Sequence, residues 1–277
     1  MTAARGESSR PQESAVTVNG ASCRVWQKGE GKPLGFLAGL GGVPRWTEFL
    51  DRLAGSRRVV VPSLPGFPGG LGHDSLDDTA DWIAMTLDLL EASGLEGADL
   101  IGASVGGMLA AEAAAFSHAT VGRLVLIAPF GLYEAGDPPA DVFAQPAAAV
   151  PGLLCARAEA AAAHLAAPEG EDAMDAMDAM EWTVQLARAN EAAARLLWPL
   201  GDRGLRKRLH RITAPTLVLW GERDRILPPS YAKRFAAAIG TGSSGGRAAS
   251  VKRIEGAGHL AYLDEPEATA RAVLEFV

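Results

Sequence analysis

Three side chains, far apart in the chain, could together activate a hydroxyl for attack on a carbonyl carbon. Ser104 stands in "LIGASVGGMLAAEAAA", Asp224 in "VLWGERDRILPP" and His259 in "IEGAGHLAYLDEPE". A serine hydroxyl stays protonated near neutral pH, so it needs a base within hydrogen-bond reach and a third group to orient that base. The run Gly102-Ala103-Ser104-Val105-Gly106 fits Gly-x-Ser-x-Gly, in which a sharp strand-to-helix turn lifts the hydroxyl out of the fold, and the chain order Ser, Asp, His accompanies that elbow. Taken singly, Ser104 reads equally as a small residue in a tight turn, and Asp224, between Arg223 and Arg225, as a solvated carboxylate. Their common order gives the set its weight.

These residues need elements to hold them. Short apolar runs suited to buried parallel strands begin at Leu34 ("LGFLAG"), Arg58 ("RVVVP"), Ala98 ("ADLIGA"), Arg123 ("RLVLIAP") and Pro215 ("PTLVLWG"), each ending at Gly or Pro. "SAVTVNGASCRVWQ" reads as a hairpin turning at Asn19-Gly20, a dipeptide that tolerates positive φ. "SLDDTADWIAMTLDLLEASG" carries Leu76, Ile83, Leu87 and Leu90 near one stripe, with Ser75 as the expected N-cap and Gly94 as the stop. Strand and helix in alternation point to a three-layer α/β fold with a mostly parallel sheet and a ligand site at the carboxyl ends of its strands. That rule places Asp224 just after the strand at 216–220, and His259 after a strand at 250–254 and before a terminal helix from about Glu265.

The alternation breaks over residues 133–202, where no strand candidate occurs but alanine-rich helical stretches do. A stretch this long is expected to be an inserted helical cap, dividing a core of 15–132 and 203–277. Met174, Met177 and Met180 in "AMDAMDAM" recur at helical spacing and read as core packing. The segment 240–250, "GTGSSGGRAAS", reads as a surface loop.

With 277 residues, 48% of them hydrophobic, the chain can bury a large core, and its net charge of −7 argues against nucleic acid as a partner. Cys23 and Cys155 form neither a disulfide scaffold nor a zinc motif. No leader-like segment or membrane-crossing stretch is found, so a cytoplasmic protein without membrane association is expected. Residues 1–14, rich in Ser, Arg and Glu, are expected to be disordered.

Together, "LAGLGG", "VVVPSLPGFPGG", "GASVGG", "PTLVLWGERDRILPP" and "EGAGHLAYLDEPE" resemble, in order, the motif blocks of the α/β-hydrolase superfamily, from about Val16 onward. The resemblance implies catalytic Ser104, Asp224 and His259, an oxyanion hole made by the backbone amides of Val105 and Leu40 (Gly41 the alternative), a small-molecule substrate, water as the second reactant, and no metal or organic cofactor. Many relatives begin the oxyanion loop with His-Gly, a histidine that props the loop; here Ala38-Gly39 stands there. Ser104 argues against the aspartate-nucleophile dehalogenase and epoxide-hydrolase branches, Val105 against proline peptidases, and Ala103 with Leu260 against the carbon–carbon hydrolases of ring-cleavage products. A small or medium apolar carboxylic ester leads, carbon–carbon bond hydrolysis follows, and a ligand-binding protein without turnover is the third reading. The content of the cap, including Trp182 and Trp198, points to an apolar pocket; Arg157, Arg188 and Arg195 are the cap cations that could bind a carboxylate. His73 reads as a solvated loop residue, and His118, His164 and His210 as structural.

Overall fold

The computed structural model describes residues 10–167, 179–240 and 249–277. Eight strands form one sheet: β1 (Gln12–Val18), β2 (Ala21–Lys28), β3 (Pro33–Leu37), β4 (Arg58–Pro62), β5 (Ala98–Ala103), β6 (Val121–Ile127), β7 (Thr216–Gly221) and β8 (Ser250–Ile254), in the spatial order β1-β2-β4-β3-β5-β6-β7-β8. β1 and β2 are antiparallel, β2 is antiparallel to β4, and every pairing from β4 to β8 is parallel. The Asn19-Gly20 turn forms as its residues dictate, with φ of 49° and 79° and Val18 facing Ala21.

The expectation of disorder over residues 1–14 fails at Gln12, Glu13 and Ser14, which pair with Gln27, Trp26 and Val25 as part of β1, while residues 1–9 lie outside the described residues. Polar side chains are no obstacle on an edge strand whose backbone is paired on one side, and Glu13 Oε2 accepts from the Trp26 indole at 2.6 Å. The expected cap at Ser75 also moves. The helix α2 (Thr79–Ala92) is capped by Asp78, whose side chain accepts from the amides of Ala80 and Asp81 while Asp81 bonds back to the Asp78 amide. That reciprocal box satisfies more orphan donors than one serine could.

The helix α1 (Glu48–Ala54) carries the chain from β3 to β4, and α2 returns it past β3 to β5. Right-handed crossovers running in opposite directions along the sheet put their helices on opposite faces. Accordingly α1 packs with α9 (Pro266–Leu274), and α2 packs with α3 (Ser104–Phe116). The reversal makes β3 and β5 direct neighbours, with Leu37 opposite Gly102, so the loops leaving their carboxyl ends meet at the switch point.

α3 is buried from Ser104 to Ala115, which explains its alanines: a helix enclosed on all sides needs small residues for close approach. Its one charge, Glu112, is fully buried and held by Arg208 through two bonds of 2.7 and 2.6 Å.

Between β6 and β7 the described residues form helices and no strand: α4 (Val150–Leu154), α5 (Ala158–Leu165) and α6 (Ala179–Leu197). Most of the "AMDAMDAM" tandem lies outside the described residues; Met180, within them, is 75% exposed and so does not pack in the core. The 240–250 loop likewise falls largely outside them. The remaining helices, α7 (Ser230–Ala238) and α8 (Ala261–Asp264), follow β7 and the His259 loop. No helix among the described residues is long and apolar enough to cross a membrane, and both cysteines are buried and unbridged.

Candidate active site

β5 runs to Ala103 and α3 starts at the next residue, so the chain reverses with no loop. Ser104 absorbs the turn at φ 54°, a left-handed conformation that a non-glycine residue adopts at a cost. The flanking glycines permit it: a Cβ on Gly102 would stand 2.5 Å from the Gly106 carbonyl oxygen, and one on Gly106 would stand 2.4 Å from the carbonyl oxygens of Ala38 and Leu37.

The three candidate side chains converge. His259 Nε2 lies 2.8 Å from Ser104 Oγ, and His259 Nδ1 lies 3.0 Å from Asp224 Oδ2. The Ser104 hydroxyl, the imidazole and the carboxylate are all buried. Asp224 is aimed by its own loop, since its Oδ1 accepts from the amides of Ile226 (2.9 Å) and Leu227 (3.0 Å), leaving Oδ2 for the imidazole. Phe130 meets the His259 ring edge-on at 5.5 Å, and its amide donates to the Ser104 carbonyl at 3.1 Å. Such a chain can take the serine proton onto Nε2 and stabilise the imidazolium that results.

Unused donors occur in two places, the loop after β3 and the residue after Ser104. The amides of Gly42 and Gly106 bond to the carbonyls of Gly39 (3.0 Å) and Ala38 (3.1 Å), whereas those of Leu40, Gly41 and Val105 donate to no carbonyl among the described residues. The loop after β3 closes on the elbow tightly enough that a Cβ on Gly39 would come within 2.9 Å of Ser104 Cβ.

A cavity of about 620 Å³ opens beside the loop after β3, with Leu40, Gly41 and Leu154 in its lining; Ser104, Asp224 and His259 do not line it. Leu154 is tied to the histidine loop, its carbonyl accepting from the Leu260 amide at 2.8 Å. The walls are mainly apolar (Val142, Phe143, Leu165, Leu186), with Gln145, Asn190 and Glu191 as polar members. Among the described residues Glu191 is the one ionisable lining residue, and the Arg195 guanidinium, 3.1 Å away, holds its carboxyl below the ordinary range. None of Arg157, Arg188 and Arg195 lines the cavity, and neither do Trp182 and Trp198. Trp182 is buried with its indole donating to the Leu165 carbonyl at 2.9 Å, and Trp198 is largely exposed.

Asp264 escaped the sequence reading, and two histidines that it took as structural or solvated occupy more specific places. Asp264 is fully buried at the end of α8, accepting from the amides of Gly258 and Ala156, each at 2.7 Å, and of Arg157 at 3.0 Å, so it ties the histidine loop to the insertion. Nothing in its spacing marks it. His164, on α5, contacts the Gly42 carbonyl oxygen at 3.0 Å. Burial pushes its pKa down to about 4, with the Arg45 charge adding to the effect and the bond to Gly42 opposing it. His73 is buried rather than solvated, its Nε2 3.5 Å from Glu191 Oε2, because α6 covers its loop and sets Ala192 close to Gly66 beside it. Among the described residues no three His, Cys, Asp or Glu side chains are grouped so as to hold a metal ion.

Comparison with known proteins agrees with this architecture. A profile described as the alpha/beta hydrolase family matches residues 18–272. The chain is 27% identical, over 96% of its length and 70% of the other's, to the dihydrolipoyllysine-residue acetyltransferase component of the acetoin cleaving system of Pseudomonas putida. It is 32% identical to the 2-hydroxymuconate semialdehyde hydrolase of Pseudomonas sp. (strain CF600) over 42% of this chain and 43% of that protein. Among solved structures, naproxen esterase (carboxylesterase NP) from Bacillus subtilis superposes with a TM-score of 0.71 at 15% identity, over 96% of this chain and 91% of that one.

Proposed function

Because the chain belongs to the alpha/beta hydrolase family, we propose that it is a serine hydrolase acting through an acyl-enzyme on a carboxylic ester with an uncharged, apolar acyl or leaving group. The observation that carries the reading is the unbroken chain from Ser104 Oγ through His259 to Asp224, at 2.8 and 3.0 Å. His259 takes the serine proton as Oγ attacks the carbonyl carbon, and the amides of Val105 and Leu40 receive the oxygen that becomes negative. Asp224 fixes the tautomer and balances the imidazolium. His259 then protonates the leaving alkoxide, and water, activated by the same base, releases the acid. The helices between β6 and β7 act as a cap whose inner wall binds the substrate.

A second reading, hydrolysis of a carbon–carbon bond in a diketone acid, is favoured by the likeness to the semialdehyde hydrolase. The cavity weighs against it. A substrate carboxylate buried there calls for a cation, yet among the described residues no Lys, Arg or His lines it, and residues 168–178 contain none in sequence.

The test is a panel of p-nitrophenyl esters of rising acyl length with the wild type and Ser104→Ala, alongside fluorophosphonate labelling. Ser104-dependent turnover of neutral esters is expected. Labelling without ester turnover, joined to cleavage of a diketone acid, would support the second reading; folded wild type that resists labelling would instead favour a binding protein.

A further inference from the structure

We infer that His164 is a positioning residue for the oxyanion loop, holding from the helical insertion a turn that the loop's own residues leave slack. The inference rests on the hydrolase reading above.

The bond from the Gly42 amide to the Gly39 carbonyl (3.0 Å) closes a four-residue turn with Leu40 and Gly41 at its centre. Gly41 has φ of +84°, the value that the third residue of a type II turn requires. The direction in which the Leu40 and Gly41 amides point is therefore a property of this turn. Gly41 and Gly42 bring no side chains and have access to both halves of φ space, so the local sequence permits several turn geometries. Something outside the loop must select one.

Two anchors do so. On the elbow side the Gly106 amide donates to the Ala38 carbonyl at 3.1 Å. On the insertion side His164 Nε2 donates to the Gly42 carbonyl at 3.0 Å. Gly42 O can only accept, so Nε2 must carry a proton, and burial keeps the ring neutral, with one N–H to give. Leu165, next to His164, presses on the same turn, filling the space that a Cβ on Gly41 would take with its Cδ2 2.6 Å from that point, and Arg45, just beyond the turn, donates to the Ala166 carbonyl. Ala38, at the start of the loop, has only a methyl group and cannot do this work from within. The seat of α5 and the direction of the oxyanion donors are thus one mechanical unit.

Steady-state kinetics on a p-nitrophenyl ester, inhibition by a phenylboronic acid that forms a tetrahedral adduct on serine, and amide exchange of the peptide spanning 38–46 test this in H164A, H164Q and H164N. Gln carries an N–H about as far as Nε2; Asn stops one carbon short. Expected for H164A and H164N are a kcat roughly 10–100-fold lower, a matching loss of boronate affinity, KM within about threefold and faster exchange over 38–46, with H164Q close to wild type. Should H164A not fold, the contrast between Gln and Asn carries the comparison. Unchanged kcat in folded H164N, or a rise in KM alone, would overturn the proposal. Wild type without ester turnover or fluorophosphonate labelling would mark failure of the hydrolase reading instead; exchange then decides, and unchanged rates over 38–46 in H164N would overturn the latch.

Discussion

Asp264→Asn isolates a carboxylate that lies outside the Ser–His–Asp chain yet holds its histidine in place. Asp264 Oδ2 accepts from the Gly258 and Ala156 amides and Oδ1 from the Arg157 amide. Asparagine keeps the volume but turns one oxygen into an NH2 that cannot accept. In the cheaper rotamer the amide oxygen stays with Gly258 and Ala156, and the part-buried Arg157 amide loses its acceptor, at roughly 1–3 kcal/mol. The two surviving bonds lose their charge assistance, worth about 1 kcal/mol each. The expected loss is therefore about 3–5 kcal/mol, a large part of the roughly 5–15 kcal/mol that a folded domain possesses.

Urea unfolding followed by tryptophan fluorescence at pH 7 measures that loss directly. Activity supplies the second readout, because Gly258 precedes His259 and a displacement of the ring approaching 1 Å costs up to about 100-fold in rate. Stability within about 0.5 kcal/mol of wild type would refute the accounting of the bonds. A loss of stability with kcat intact would refute the link to His259 and leave Asp264 as a staple for the insertion.

Asp224→Asn should keep the geometry but favour the wrong imidazole tautomer, lowering kcat by about 10⁴ with little change in KM; single-turnover acylation kinetics reads this, and a loss under tenfold would exclude Asp224 as the orienting group. His164 should make stability sensitive to acid. Its folded pKa, about 4, lies below the ordinary value of 6.5, so its contribution is complete above pH 6.5 and shrinks as pH falls toward 4, by about 3 kcal/mol in all. Urea midpoints at pH 7, 5.5 and 4.5 should fall less steeply for H164Q than for wild type, and parallel slopes would count against a neutral buried ring. Arg208→Ala leaves Glu112 charged and fully buried without its partner, an expected loss of about 3–5 kcal/mol by urea unfolding; a loss below 1 kcal/mol would mean that water reaches Glu112.

The division between what was legible and what was not follows from how each feature is encoded. The elbow was readable because its constraints are local: the clash distances at Gly102 and Gly106 admit only glycine, and φ 54° at Ser104 follows from a strand meeting a helix with no residue between them. Asp224 and His259 were readable because each sits in the loop after a short apolar strand, where strand direction alone places it on the side of the site. Asp264 and His164 act through backbone groups of distant segments, Ala156 and Gly258 for one and Gly42 for the other. A backbone partner can be any residue, so neither pairing leaves a mark in the sequence. His73 shows the same limit for burial: its glycine-rich loop reads as solvated, and only the placement of α6 makes it otherwise.

The same reasoning explains why the oxyanion loop is where local and distant encoding meet. Glycines at 39, 41 and 42 are needed for the close approach to Ser104 and the turn at φ +84°, but the freedom that admits this geometry also removes the means of enforcing it. A loop of this composition must borrow rigidity from its surroundings, and here the lenders are the elbow on one side and α5 on the other. Substitutions in α5 that leave the cavity wall unchanged should therefore register in kcat before they register in KM, whereas substitutions at Leu186 or Val142, which line the cavity without touching that turn, should shift acyl-length preference through KM. Measuring both classes on one ester series separates them: if α5 variants move KM and spare kcat, the loop is rigid on its own account, and the borrowing argued from its glycines fails.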